Sequence, residues 1–83
     1  MLRSTDHAIL LRLLKEERMN SGLRQVDLAE RLGVHQSFVS KYEVGERRLD
    51  VLELKAICSV LGLTLGEFIA RLEAELEKRT DAP

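Results

Sequence analysis

The sequence predicts an all-α fold, with five short helices in one domain and the last helix extended past the others. Three observations carry this. Apolar residues recur at three- and four-residue spacing, as in Leu28, Ala29 and Leu32, or Leu65, Phe68, Ile69, Leu72 and Leu76. Gly22, Gly33, Gly45 and Gly62 each close one such stretch. Aromatic residues make up 4% of the chain and there is one proline, so leucine, isoleucine and valine must fill the core. A chain of 83 residues, 45% apolar and 33% charged, supports one globular domain with a modest core.

The first helix is expected to be capped by Thr5 or Asp6, after a flexible end over residues 1–5, and to run to about Asn20. Leu10, Leu13 and Leu14 form its predicted buried face, with Ile9 and Leu11 at the margins and Lys15, Glu16, Glu17 and Arg18 outward. Ser21 and Gly22 end it, and Leu23 turns inward in the short connection that follows.

The second helix opens at Gln25 and stops at Gly33, where glycine enters the left-handed conformation without a steric penalty. Ala29 is small where two helices would cross. The third helix is read over Gln36 to Val44. Val34, Val39 and Tyr42 make its apolar set, with β-branched Val39 filling the angle between helices. A polar loop, Gly45-Glu46-Arg47-Arg48, comes next.

Asp50 is read as the cap of the fourth helix, with Glu53 three residues on completing a capping box and Leu49 stapling onto Leu54. Leu52, Leu54, Ile57 and Leu61 form its core side. Thr64 and Glu67 repeat the capping box, with Leu63 set against Phe68. The fifth helix is expected to reach about Lys78, leaving residues 80–83 as a flexible tail and the domain proper at residues 6–79.

The stretch from Gln25 to Val44 closely resembles the helix-turn-helix of the Cro/lambda-repressor (Xre) type. Gln25 opening the first helix, Ala29, Gly33 after Leu32, and Val39 carry the likeness. It continues through Leu28-Ala29-Glu30-Arg31-Leu32-Gly33-Val34 and through Ser40-Lys41-Tyr42-Glu43-Val44-Gly45-Glu46. In all it covers roughly Leu10 to Ile69. Arg24 stands where the family usually has Ser or Thr, and Val44 where Asn or Arg is common.

The resemblance implies a five-helix lambda-repressor-like domain whose second motif helix enters the major groove of double-stranded DNA. The family's base-contacting places fall on His35, Gln36, Ser37, Ser40 and Lys41. Glutamine can pair bidentately with adenine, and lysine can donate to guanine. His35 has a second reading as a simple cap of the helix start. Arg24, Gln25, Phe38, Arg47 and Arg48 are the expected backbone contacts, with Gln25 offering both its backbone N–H and its side-chain amide to a phosphate. Phe38 can equally pack beside the turn. Glu43 matches the family in a structural role.

The net charge of −1 gives no support to nonspecific nucleic-acid binding. The distribution is uneven. From Arg12 to Arg48 there are 8 basic against 6 acidic residues, and from Glu67 onward 3 basic against 5 acidic. Cys58 is the single cysteine, so no intrachain disulfide can form, and its apolar neighbours indicate a buried, inert thiol. No apolar run is long enough to span a membrane, no signal peptide is recognisable, and a cytoplasmic location is expected. His7 and His35 have no Cys, His or acidic residue at ligand spacing, so no metal or other cofactor is expected. Nothing in the pattern marks a small-molecule site or a catalytic constellation, so the chain is not read as an enzyme.

On the fifth helix, Leu72 and Leu76 project beyond what a small core needs. One reading folds them back onto the first helix. The other makes Phe68, Leu72 and Leu76 the seam of a homodimer. The function the resemblance implies is a sequence-specific transcriptional regulator, a homodimeric repressor on a palindromic operator. The alternative is an antitoxin or adaptor that uses the same fold to bind another protein.

Overall fold

The computed structural model describes residues 4–80, in which five helices occur: α1 (Ser4–Asn20), α2 (Gln25–Leu32), α3 (Gln36–Glu43), α4 (Val51–Val60) and α5 (Leu65–Thr80). Among the described residues there is no strand. Helices α2 and α3 pack closely on each other, α1 lies against α3 and α5, and α4 lies against α2 and α5. The helix-turn-helix pair is therefore braced from both sides. The flexible ends expected at residues 1–5 and 80–83 fall largely outside the described residues. Ser4, Thr5 and Thr80 are helical.

Helix α1 starts earlier than its sequence suggests, so Thr5 and Asp6 lie inside its first turn and not at the position before it. Its buried face also differs. Leu11, Leu13 and Leu14 are buried and Leu10 only half-buried, because α1 packs on two neighbours and needs a wide apolar face. Leu11 is drawn in by the loop after α3, where Gly45 (φ 86°) brings the backbone close. A β-carbon there would lie 3.6 Å from Leu11 Cδ1. Arg18, expected to face outward, is buried with 8% exposure.

The turn between α2 and α3 rests on Gly33, whose φ of 73° is the left-handed geometry that lets Val34 N–H donate back to the Ala29 carbonyl. Val34 lies in that turn and is 37% exposed, while Val39 and Tyr42 are fully buried on α3. Helix α3 ends at Glu43, with Val44 as its exposed cap.

Both capping boxes form. Glu53 N–H donates to Asp50 Oδ1 (2.7 Å) and Asp50 N–H to Glu53 Oε1 (2.9 Å). Glu67 N–H donates to Thr64 Oγ1 (3.0 Å) and Thr64 N–H to Glu67 Oε1 (2.8 Å). That start sets the phase of α4. Leu54, Ile57, Cys58 and the capping Leu61 face the core. Leu52, expected among them, is 75% exposed, since two residues on a helix point about 200° apart. Burial pushes the Cys58 thiol up to about 11, which keeps it protonated and unreactive.

Phe68, expected at a homodimer seam, is 1% exposed within the single chain and anchors α5 to the bundle. Leu72 also packs on the core, and Leu76 is half-buried. Helix α5 is further tied to α1 by ion pairs of Arg71 with Glu16 and Glu17 and of Arg12 with Glu75.

Candidate nucleic-acid interface

The N-terminal turns of α2 and α3 lie beside each other, and a chain of hydrogen bonds links them. At its base is an ion pair between residues 25 positions apart. Arg18 Nε donates to Glu43 Oε2 (2.7 Å) and Arg18 Nη2 to Glu43 Oε1 (3.1 Å). The side chains are 10% and 2% exposed. Arg18 Nη1 also donates to the Leu23 carbonyl (2.8 Å), so one guanidinium fixes α1, the connection into α2 and the end of α3. A charge pair this dry tolerates the loss of neither partner.

Glu43 carries the order outward. Gln25 Nε2 donates to Glu43 Oε1 (2.8 Å), and Gln36 Nε2 donates to Gln25 Oε1 (3.0 Å). The carboxylate can only accept, which fixes the direction of the Gln25 amide and, through it, one N–H of Gln36. Gln36 is exposed.

His35 caps α3. Its Nδ1 accepts from the Ser37 backbone N–H (3.1 Å) and lies 3.0 Å from the Ser37 hydroxyl. In the neutral ring this puts the proton on Nε2, at the exposed edge. The capping reading of His35 is therefore realised, and the ring still presents a donor. Lys41 is exposed on the same helix. Ser40 is half-buried, and its hydroxyl donates to the Ser37 carbonyl (3.2 Å), turning it back toward the helix.

The expected backbone contacts divide. Arg24 is exposed at the start of α2 and paired with Asp27, its Nη2 and Nε donating to the two carboxylate oxygens (2.9 and 3.0 Å). Those bonds from Arg24, with one from its backbone N–H, hold Asp27 down at about 2. Arg48 is exposed. Arg47 is not a free surface cation: its guanidinium lies 4.3 Å over the Phe38 ring and grips both Glu53 oxygens (3.1 and 2.7 Å). Phe38 is half-buried between Arg47 and the edge of Tyr42, with ring centroids 6.0 Å apart. It packs beside the turn. The Tyr42 hydroxyl beneath it is buried with no hydrogen-bond partner among the described residues, and burial raises its pKa above the usual phenol range.

An apolar cleft of about 310 Å³, unsignalled in the sequence, opens between the α2–α3 turn and α4. Leu32, Val34, Phe38, Leu52, Ala56 and Ile57 line it, with Asp50 and Glu53. Both carboxylates are already engaged by the cap and by Arg47. Among the described residues no group of His, Cys, Asp and Glu could hold a metal ion, and no helix is long and apolar enough to cross a membrane.

Sequence reasoning missed Arg18 as a determinant of this surface. Its partner stands on another helix, and helical periodicity carries no signal of such a pair.

Comparison with known proteins agrees with this fold. The helix-turn-helix family model matches residues 14–68. An XRE-family-like protein from Pseudomonas syringae pv. tomato is 45% identical, with 86% of this chain and 87% of that one covered and a TM-score of 0.81. A point mutant of the restriction-modification controller protein C.Esp1396I is 26% identical over 93% of this chain and 98% of that one, with a TM-score of 0.81. The clp gene regulator ClgR from Corynebacterium glutamicum is 20% identical over 90% of this chain and 80% of that one, with a TM-score of 0.77, and shares the fold. No curated protein matches the chain.

Proposed function

Because the chain belongs to the XRE-type helix-turn-helix family, we propose that it is a sequence-specific DNA-binding transcriptional regulator, a homodimeric repressor that acts by occupying a palindromic operator. The observation that carries this reading is the surface at the start of α3. His35 and Gln36 are exposed there beside the N-terminus of α2, Lys41 is exposed in the last turn of the same helix, and Gln36 is tied through Gln25 to Glu43. A helix that offers amide and imidazole donors at its N-terminus and an ammonium in its last turn suits base edges in a major groove.

In this reading His35, Gln36, Ser37 and Lys41 read bases, with Ser40 the most withdrawn of the set. Arg24, Arg48 and the first backbone amides of α2 at Gln25 hold phosphates. Two copies, joined through Leu72 and Leu76 on α5, would address half-sites ~34–36 Å apart. The likeness to a restriction-modification controller supports a role in gene regulation, and the mechanism asks for no covalent chemistry.

The test is binding to a pool of genomic fragments at two salt concentrations. The expected result is enrichment of twofold-symmetric sites, with affinity falling on a log–log slope of about −0.9 per phosphate neutralised. Retention of all fragments equally, or of none, would overturn the proposal.

A further inference from the structure

We propose that Arg47 is a positioning residue for the DNA-binding surface and not one of its phosphate contacts. This rests on the regulator reading above. From sequence Arg47 and Arg48 look alike, two adjacent cations in a polar loop. The structure gives them different surroundings.

Arg47 makes four contacts on three sides. Its guanidinium lies over the Phe38 ring of α3 at 4.3 Å. Its Nη1 and Nη2 donate to Glu53 Oε1 and Oε2 on α4 at 3.1 and 2.7 Å. Nη1 also donates to the Arg48 carbonyl at 2.9 Å. Glu53 Oε1 accepts in addition from the Asp50 backbone N–H that begins α4 (2.9 Å). One planar cation thus joins the reading helix, the loop from Val44 to Asp50 and the first turn of α4.

The Arg47 side chain is 39% exposed and that of Glu53 28% exposed. A phosphate reaching Arg47 would have to displace a bidentate carboxylate. Arg48 is exposed, and its own peptide is the one Arg47 holds. Arg47 therefore fixes the direction in which Arg48 leaves the loop and its register with α3, while Arg48 supplies the charge. Only arginine has the shape for this, with a fork for the carboxylate and a flat face for the ring.

The experiment compares the full chain carrying Arg47→Ala, Arg47→Lys, Glu53→Gln or Arg48→Ala with the wild type. Binding to the operator selected by the wild type is measured across a salt series, with folded fraction checked by circular dichroism. Arg47→Ala is expected to weaken binding about tenfold at each salt concentration with an unchanged salt slope, the size typical of losing one member of a coupled network. Arg47→Lys should fail to restore affinity although the charge is kept, and Glu53→Gln should weaken binding without removing any cation. Arg48→Ala should reduce the salt slope by about 0.9.

A salt slope reduced by about 0.9 in Arg47→Ala, with wild-type affinity in Arg47→Lys and Glu53→Gln, would overturn the inference and leave the regulator reading intact. Unchanged affinity in Arg47→Ala would also overturn it. Failure of the wild type to select any DNA would overturn both.

Discussion

The side-chain amide of Gln36 donates to that of Gln25 across 3.0 Å, joining the first residue of α3 to the first residue of α2. Gln25 is in turn oriented by Glu43 at 2.8 Å. An exposed reading group of α3 thus starts from a fixed orientation, which lowers the ordering cost of meeting a base. Gln25→Ala removes the middle of this relay. It is expected to cost about 1 kcal/mol in operator affinity and to weaken preference at the base pair met by Gln36, as read by competition with point-substituted operators. Unaltered preference would show that the relay does not set the Gln36 pose.

The Arg18–Glu43 pair makes a separate prediction about stability. Glu43→Ala leaves a nearly dry guanidinium without its carboxylate and should destabilise the fold by roughly 3–5 kcal/mol in urea unfolding. Replacing both partners, Arg18→Met with Glu43→Leu, should recover most of that loss. The double variant should still bind operator more weakly, because Gln25 has lost its anchor. Wild-type affinity in a well-folded double variant would contradict the argument.

The proposed dimer is best tested at Leu76. Phe68 lies in the core of one chain, so Phe68 variants report on folding and not on association. Leu76 is half-buried at the far part of α5 and is not among the residues packed on the core. Leu76→Asp is expected to halve the mass found by light scattering while leaving the helical signal intact. An unchanged mass would place any seam elsewhere.

Asp27 gives the pH dependence a definite sign. Its folded pKa lies at about 2 against an ordinary 3.8, lowered by the bonds from Arg24. A depressed carboxylate contributes stability that is complete above the unfolded value and lost as pH falls through the folded one. Melting temperature should therefore decline between about pH 4 and pH 2, and Asp27→Asn should flatten that decline. The pair is at the surface, so the effect should shrink further in high salt. A variant as pH-sensitive as the wild type would assign the decline to other groups.

What the sequence made legible was local. Asp50 with Glu53 and Thr64 with Glu67 are three residues apart, and each pair closes within one helical turn. Gly33 announces a left-handed stop because no other residue adopts that conformation so readily. Contacts between elements left no such mark. Arg18 follows Lys15, Glu16 and Glu17 and reads as solvated, yet Glu43 draws it inside. Leu52 fits a loose apolar count, but the Asp50 cap fixes the phase that turns it outward. Arg47 and Arg48 are indistinguishable in one dimension. What separates them is the position of Phe38 and Glu53 in three.

In the proposed function α3 reads bases, through Gln36 at its start and Lys41 in its last turn. This is tested most directly by selecting bound sequences from a random DNA pool with the wild type and with Gln36→Ala and Lys41→Ala. A twofold-symmetric site is expected for the wild type, and for each variant a loss of roughly 1–3 kcal/mol of discrimination at one base pair per half-site, with the other positions kept. Identical preferences in all three proteins would contradict it.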